Sequence, residues 1–415
     1  MKKRAATSDF TSRNITLWWL GALALLLVAI GQRAARGQDV AGASGSERRP
    51  PSRAELDHAI ALATAYLEGA CGPDGRFAYE VQIGSGQKSS SYDIIRHEGA
   101  MYALATANHY KPDEKAVNAM FRAARFLREN YMGPGPLPKQ LVVWSKPMTE
   151  KPERQYAELG GAGLGLVALA AVRELDPKSV PLKDLESLGR FVLFLQRDDG
   201  SFVDKYQAES GPAPNWESLY YPGEAALGLI ALYRADHSRE WLGAAAKALC
   251  YLARSRVEAS TVPTDHWALI ATARLLPYSD MVTSIVSREE LLQHAAQICD
   301  SIVRDQFRGS APVGLDGAFD SMGRTAPAAT RLEGLLSALE FLPKGELRDK
   351  VEAVTNRGIA FLLRAQILSG PQEGGMPGAV LVRVRNSTEI RIDYVQHAVC
   401  AWIQYRTLME SFEKT

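Results

Sequence analysis

The chain has 415 residues, of which 46% are hydrophobic and 23% are charged, with a formal net charge of +1. This composition is that of an ordinary globular protein, and the length suffices for one large domain or two average ones. A net charge so close to zero provides no strongly basic surface to offset phosphates, so we expect no nucleic-acid partner. The four cysteines stand far apart, without the spacing of a zinc site, and we expect neither a metal nor another cofactor.

The first 36 residues have the composition of a membrane-directed segment. Four basic residues precede an uncharged stretch, ITLWWLGALALLLVAI, at positions 15–30. This pattern is typical of a signal peptide or of an uncleaved signal anchor. The best small-residue cleavage motif, at 41–43, lies about a dozen residues downstream, which favours the anchor. We therefore expect residues 1–36 to tether the protein to a membrane, with its soluble part in the periplasm or outside the cell.

Residues 37–53, rich in Gly, Ser, Pro and Arg, are predicted to form a flexible linker.

From residue 54 onward, apolar residues recur at helical spacing, and helices of two kinds alternate. The amphipathic kind is predicted at 55–70, 115–130, 181–197, 239–256, 287–306 and 346–366. The other kind is apolar nearly all round, as in YAELGGAGLGLVALAAV, and such a helix must be buried on every side. The alternation predicts an all-α domain over residues 54–415, an (α/α)6 toroid of six helical hairpins in two concentric rings.

Two repeated features support this architecture. Charged residues mark the starts of the buried helices about every 60 residues, with one shorter step of about 42, and periods of this kind indicate repeated supersecondary units. Several amphipathic helices also run into an Asp-Gly turn, as in QRDDGSF at 196–202 and GLDGAF at 314–319.

The run RFVLFLQRDDGSF resembles the Gln…Asp-Gly-aromatic repeat of the terpene cyclase and protein prenyltransferase toroids. The alternation of twelve helices resembles the six-hairpin glycosidases and related uronate-polymer enzymes. The resemblance covers about residues 54–410 at the level of architecture. The sequence lacks the Asp-x-Asp-Asp proton donor of squalene-type cyclases, the zinc ligands of prenyltransferases and those of lanthionine cyclases. The resemblance therefore implies the toroid and no particular chemistry.

Polar residues collect near the N-terminal ends of the otherwise apolar helices. In a toroid the inner helices run roughly parallel, so these residues would converge on one basin at one mouth of the ring. We expect catalytic residues among His97, Glu98, Glu224, Asp265, His266, Glu333, Asp393 and His397. We expect substrate contacts from Tyr92, Arg96, Glu158, Trp216, Tyr220, Tyr221, Trp267, Arg331 and Tyr394.

Structural roles compete with these functional ones. Asp93, Asp265 and Asp393 lie where a helix N-cap is wanted, and glutamates in a first turn favour the helix dipole. Pairs such as Arg331 with Glu333, or Arg96 with Glu98, would also stabilise the rim without taking part in chemistry.

Carboxylates, histidines and tyrosines around one cavity suit proton transfer, while Tyr and Trp offer flat faces to sugar rings. Arginines would hold carboxylate or sulfate groups. We therefore predict a carbohydrate-active enzyme, a hydrolase, lyase or epimerase, acting on a polyhydroxylated glycan, with uronate-containing polymers among the candidates. Hydrolysis would need two carboxylates roughly 5 to 9 Å apart, whereas a lyase or epimerase would use a His or Tyr base. The alternatives are a terpenoid cyclase or prenyl-binding protein, which the charged rim disfavours, and a non-catalytic toroid that binds a glycan or peptide.

Overall fold

The structure is a computed structural model that describes residues 50–412, apart from 308–313 and 382–386. The predicted anchor and all but the end of the predicted linker lie outside these residues. Within the described ranges, no helix combines the length and the apolar character needed to cross a membrane.

Helices of two kinds alternate along the described chain, as predicted. The outer helices are α1 Arg53–Ala70, α3 Glu114–Asn130, α5 Leu182–Leu195, α7 Arg239–Arg256, α9 Arg288–Asp305 and α11 Glu346–Ala365. The inner helices are α2 Ile94–Tyr110, α4 Leu159–Leu175, α6 Tyr221–Asp236, α8 His266–Leu275, α10 Thr325–Leu339 and α12 Ile392–Phe412. The predicted bounds of the amphipathic helices are met to within about two residues, the usual uncertainty of a helix end.

The helices close into two rings. Each inner helix packs against the next inner helix along the chain, and α12 packs against α2. Each outer helix packs against the two inner helices beside it, so α1 contacts both α2 and α12. The Gln366 side chain, just after α11, donates a hydrogen bond of 2.9 Å to the Ala59 carbonyl in α1. The predicted (α/α)6 toroid is therefore the observed fold.

Small residues allow the inner helices to approach closely. A Cβ atom added at Gly163 in α4 would lie 2.6 Å from the Glu224 carbonyl in α6, which is too close for any side chain. Gly228 in α6 faces the backbone of Gly163 in return. Gly163 and Gly228 therefore serve packing, because side-chain bulk at either position would push the two helices apart.

The Asp-Gly turns tie neighbouring outer helices together. Gln196 at the end of α5 donates a hydrogen bond of 2.9 Å to the Ala244 carbonyl in α7, and Gln306 makes the same contact with Val354 in α11. Gly200, in the first of these turns, has a φ of 92°, which glycine adopts at little cost. The repeated Gln and Gly of the sequence thus have one shared structural role.

Short antiparallel strands, which the sequence analysis did not predict, lie in the connections. The pairs are β1 Glu80–Gln82 with β7 Glu389–Arg391, and β2 Met132–Pro134 with β3 Leu141–Val143. A three-stranded sheet joins β4 Tyr156–Glu158, β5 Lys205–Gln207 and β6 Gly211–Pro212. Two 3-10 turns span Pro152–Arg154 and Leu276–Met281. Because β4 runs into α4 and β7 into α12, these two strands lie at the N-terminal ends of inner helices.

Candidate active site

A cavity of about 610 Å³ lies at the N-terminal ends of the inner helices, and all six of those helices contribute to its lining. Ten of the seventeen residues predicted for the site line this cavity. They are Arg96, Trp216, Tyr220, Tyr221, Glu224, His266, Trp267, Asp393, Tyr394 and His397. Arg324, Arg391 and Gln396, which were not among the predicted site residues, also line it. Only their position in the sequence could have indicated them as site residues, because each lies within five residues of the start of an inner helix.

Two histidines from different helices meet on the cavity wall. The rings of His266 in α8 and His397 in α12 have centroids 5.7 Å apart and planes at 80°. Behind them, Glu333 of α10 is fully buried, and its Oε2 atom lies 2.6 Å from His397 Nδ1. Neither ring nitrogen of His266 has a hydrogen-bond partner among the described residues. One imidazole is therefore held by a carboxyl group, and the other is available to a ligand.

Burial sets the protonation of this group. It lowers the pKa of His266 well below its usual value, and the nearby His397 and Arg331 lower it further. Burial also raises the pKa of Glu333, against the opposing influence of His397. His266 is thus a neutral imidazole at neutral pH.

Within the described residues, these three side chains form a group that could hold a metal ion. One candidate ligand atom from each of His266, Glu333 and His397 lies within 4.8 Å of the others. Two ligands on one tetrahedral zinc would be about 3.3 Å apart, given metal–ligand bonds of about 2.0–2.1 Å. The separation of 2.6 Å between His397 Nδ1 and Glu333 Oε2 is shorter and is that of a hydrogen bond. The geometry therefore favours a proton-sharing pair over a metal centre.

Alternating charges form one wall of the cavity. Arg96 Nη1 lies 2.6 Å from Asp93 Oδ2, and Arg96 Nε lies 3.5 Å from Asp393 Oδ2. Arg391 donates two hydrogen bonds to Asp393, of 3.1 and 2.9 Å. Asp93 also caps α2 by accepting from two backbone N–H groups, whereas Asp393 lies in the first turn of α12. The remaining lining arginine, Arg324, is paired as well, 2.8 Å from an aspartate at position 320.

Two neighbouring glutamates, Glu224 and Glu98, extend from the cavity wall into the protein interior. Glu224, in the first turn of α6, lines the cavity, and burial raises its pKa to about 8 despite the opposing effect of Arg96. Glu98 of α2 is fully buried, and neither of its carboxyl oxygens has a hydrogen-bond partner in the described structure. Burial and the neighbouring Glu224 raise the pKa of Glu98 well above its usual value. Glu224 is therefore mostly protonated at neutral pH.

His97 and Tyr92 lie away from the cavity. The Tyr92 hydroxyl is 2.8 Å from His97 Nδ1, and His97 Nε2 is 3.0 Å from the Ala123 carbonyl in α3. Burial lowers the pKa of His97 to about 4, so this ring is neutral and both its nitrogens are satisfied. The structure therefore places these two residues in the packing between α2 and α3.

The other predicted residues outside the lining support it from behind. Asp265 caps α8 through the Ala268 N–H and forms a buried ion pair of 3.0 Å with Arg256. Glu158 accepts hydrogen bonds from Ser145 and from the Tyr221 hydroxyl, at 2.9 and 3.2 Å.

The rim pairs considered from sequence have other partners in the structure. Arg331 pairs with Asp305 at 3.3 Å, and Glu333 bonds His397 instead. Arg96 pairs with aspartates and not with Glu98, because the two side chains leave α2 in different directions.

No family model matches the sequence, and no curated protein matches it. Solved structures do resemble it. A sugar epimerase from a ruminal bacterium has a TM-score of 0.63 at 12% identity, covering 85% of this chain and 98% of that one. A D-mannose isomerase has a TM-score of 0.65 at 11% identity, covering 86% and 98%. An inactive α-1,6-mannanase variant of Salegentibacter sp., in complex with α-1,6-mannotriose, has a TM-score of 0.59 at 13% identity, covering 85% and 99%. The chain thus has the fold of the six-hairpin α/α toroids, as the resemblance in sequence implied.

Proposed function

We propose that this protein is a carbohydrate-processing enzyme that epimerises or isomerises a sugar bound in the toroid cavity. The observation that carries the proposal is the meeting of His266 and His397 on the cavity wall, with Glu333 bonded to His397 from behind. The similar structures include a sugar epimerase and a D-mannose isomerase, which supports this class of reaction.

The two imidazoles supply the acid and the base of such a reaction. The proton next to the carbonyl of an open-chain sugar is removed by one imidazole, which gives an enediolate. The other imidazole returns a proton, to the same carbon for epimerisation or to its neighbour for isomerisation. His266 is placed for the role of base because it lines the cavity and neither of its ring nitrogens has a hydrogen-bond partner among the described residues. Glu333 orients the His397 ring through the hydrogen bond at Nδ1, which leaves Nε2 to face the substrate.

Hydrolysis is the weaker candidate. It requires two carboxyl groups placed on either side of the scissile bond. Within the part of the chain that the structure describes, three carboxyl groups line the cavity: Asp393 is held by two arginines, Glu217 is exposed and Glu224 is buried. Glu224 therefore has no second buried and unpaired carboxyl group among the described wall residues to act with it. The mannanase named above is inactive when two adjacent aspartates are replaced. The only adjacent pair of aspartates in this sequence, Asp198 and Asp199, lies in the turn after α5 and does not line the cavity.

The reacting sugar is proposed to be neutral. Each arginine that lines the cavity already has an aspartate partner, so binding a uronate there would require breaking an ion pair. Trp216, Tyr220 and Trp267 present flat aromatic surfaces instead, which suit sugar rings. The findings do not support the terpenoid cyclase alternative, because this wall carries ion pairs close to where a carbocation would form.

Solvent exchange tests the proposed reaction. The full-length protein, purified in mild detergent, is incubated in D₂O with mannose, glucose, galactose and cellobiose. We expect deuterium at the carbon next to the carbonyl of one sugar, together with its epimer or ketose, detected by NMR and mass spectrometry. His266→Asn and His397→Asn should each abolish exchange without loss of helicity. His109→Asn, an exposed histidine in the last turn of α2, is the matched control and should leave exchange unchanged. Sugar binding without exchange in the wild-type protein would instead support a non-catalytic toroid.

We also propose that residues 1–36 tether the toroid to a membrane, with the toroid on the non-cytoplasmic side. The support is the basic, then apolar, composition of that segment. Fractionation of the full-length protein tests the proposal. Recovery in the membrane pellet after alkaline extraction is expected, and recovery in the supernatant at full length would refute it.

A further inference from the structure

A strip of aromatic and lysine side chains continues from the cavity onto the sheet of β4, β5 and β6. The rings of Tyr221 and Trp216, which both line the cavity, have centroids 5.5 Å apart. Lys205 of β5 then lies between two rings, with its Nζ atom 5.4 Å from the Trp216 centroid and 4.0 Å from the Tyr156 centroid. Lys146 Nζ is 5.8 Å from the same Tyr156 ring. We call Lys146, Tyr156, Lys205 and Trp216 the shelf.

The strand register places the shelf residues of β4 and β5 on the face of the sheet that adjoins the cavity. Glu158 of β4 stands opposite Lys205 of β5, and Tyr156 stands opposite Gln207. Side chains directly opposite one another in an antiparallel pair lie on the same face of the sheet, and residues two apart share a face. Tyr156, Glu158 and Lys205 therefore share a face, and the hydrogen bond from Tyr221 to Glu158 shows that this face adjoins the cavity wall.

The charges of the shelf differ from those of the cavity. Every cavity arginine has a carboxylate partner, whereas no ion pair joins Lys146 or Lys205 to a carboxylate within the part of the chain that the structure describes. Glu158 is the nearest acid by register, but its two oxygens accept hydrogen bonds from Ser145 and Tyr221. Two ammonium groups held near one tyrosine ring repel each other unless an anion lies between them or beside them.

We infer that the shelf binds a second sugar residue of the substrate, and that this residue carries an anionic group, a carboxylate or a sulfate. The inference rests on the proposed function, because it takes the cavity as the place where the first, neutral residue reacts. Trp216 is 36% exposed and offers an aromatic surface to the ring of the second residue. The ammonium groups of Lys205 and Lys146 would then contact its anionic group. The substrate class is accordingly an acidic oligosaccharide with a neutral reacting end.

Binding measurements test the inference separately from turnover. Calorimetry is run on the full-length protein with three disaccharides that share a neutral reducing glucose. The second residue is glucose, glucuronate or sulfated glucose. The wild-type protein should bind one or both anionic disaccharides about five- to tenfold more tightly than the neutral one, as expected for one partly solvated charge-assisted contact. The anionic arm that binds more tightly identifies the carboxylate or the sulfate. This preference should shrink as salt is raised from about 0.01 to 1 M, because the shelf is open to solvent.

Substitution then locates the contact. Lys205→Gln and Lys146→Gln should each remove most of the anionic preference, whereas Lys183→Gln, an exposed lysine of α5, should keep it. Equal affinity of the wild-type protein for neutral and anionic disaccharides would overturn the inference, and so would an anionic preference that survives both substitutions. Failure of the proposed function is distinguishable, because it would appear as absence of turnover with any sugar while these affinities are still measured.

Discussion

Replacing Glu224 by glutamine should stabilise the protein, and the gain should grow with pH. Glu224 is 5% exposed, and its Oε2 atom has no hydrogen-bond partner among the described residues. Burial raises the pKa of this carboxyl from its usual 4.5 to about 8. Glutamine has nearly the same shape but no charge to desolvate, so the substitution isolates the cost of the titratable group.

The sign follows from proton binding. Between pH 4.5 and 8 the folded protein retains a proton on Glu224 that the unfolded chain has released, so the stability contributed by this group is lost as pH rises through that window. Each unit of pKa difference corresponds to about 1.4 kcal/mol. Below pH 4.5 the two proteins should be similarly stable. From pH 5 to pH 7.5 the advantage of Glu224→Gln should increase by about 3 kcal/mol.

Urea unfolding at several pH values between 4.5 and 8 measures this difference, with circular dichroism as the probe. Other buried acids with raised pKa values, such as Glu98 and Asp265, also make the wild-type stability depend on pH. The difference between variant and wild type removes the part of their contribution that does not depend on Glu224. Glu217→Gln is the matched control, since Glu217 is exposed and should show no such trend. A difference between Glu224→Gln and wild type that stays constant with pH would refute the reasoning.

Three further predictions address other contacts. Glu333→Gln should lower kcat in the solvent-exchange assay about 10- to 100-fold, because it removes a charge-assisted hydrogen bond to His397 that is worth about 1.5–3 kcal/mol. An unchanged kcat would contradict that role. Asp265→Ala should reduce the free energy of unfolding by about 3–5 kcal/mol, because it leaves the largely buried Arg256 side chain without its carboxylate partner. A loss below about 1 kcal/mol in urea unfolding would argue against this. Gly163→Ala should destabilise the fold by about 1–3 kcal/mol through overpacking. Gly69→Ala should not, because a Cβ atom at that position meets no atom within 4 Å. Equal melting temperatures for the two variants would contradict the packing argument.

The architecture was predictable because it depends on local patterns. An apolar stripe of period 3.6 predicts a helix, and a helix apolar all round can only lie inside, so the alternation of the two kinds implied two rings. The repeated Asp-Gly turns were visible for the same reason. The short strands were not predicted, because segments such as Tyr156–Glu158 or Lys205–Gln207 are only three residues long and pair with partners far away in sequence.

The site was predictable as a location and less so as a set of contacts. The concentration of polar residues at inner-helix starts pointed to one mouth, and His266 and His397 do meet there although 131 positions separate them. His97 also stands near the start of its helix, yet it faces α3 and bonds Ala123, because one position along a helix turns a side chain by about 100°. Sequence spacing alone does not resolve such a rotation.

Amino-acid order by itself thus determined the helices, their alternation and the end of the toroid at which polar groups gather, since these follow from periodicity and from the cost of burying charge. Only the tertiary structure decided which charges pair. Arg96 has an aspartate 297 positions away as a partner, and His397 has Glu333 of another helix. The strength of an ion pair or hydrogen bond falls steeply with distance and angle, and those distances exist only once the ring has closed.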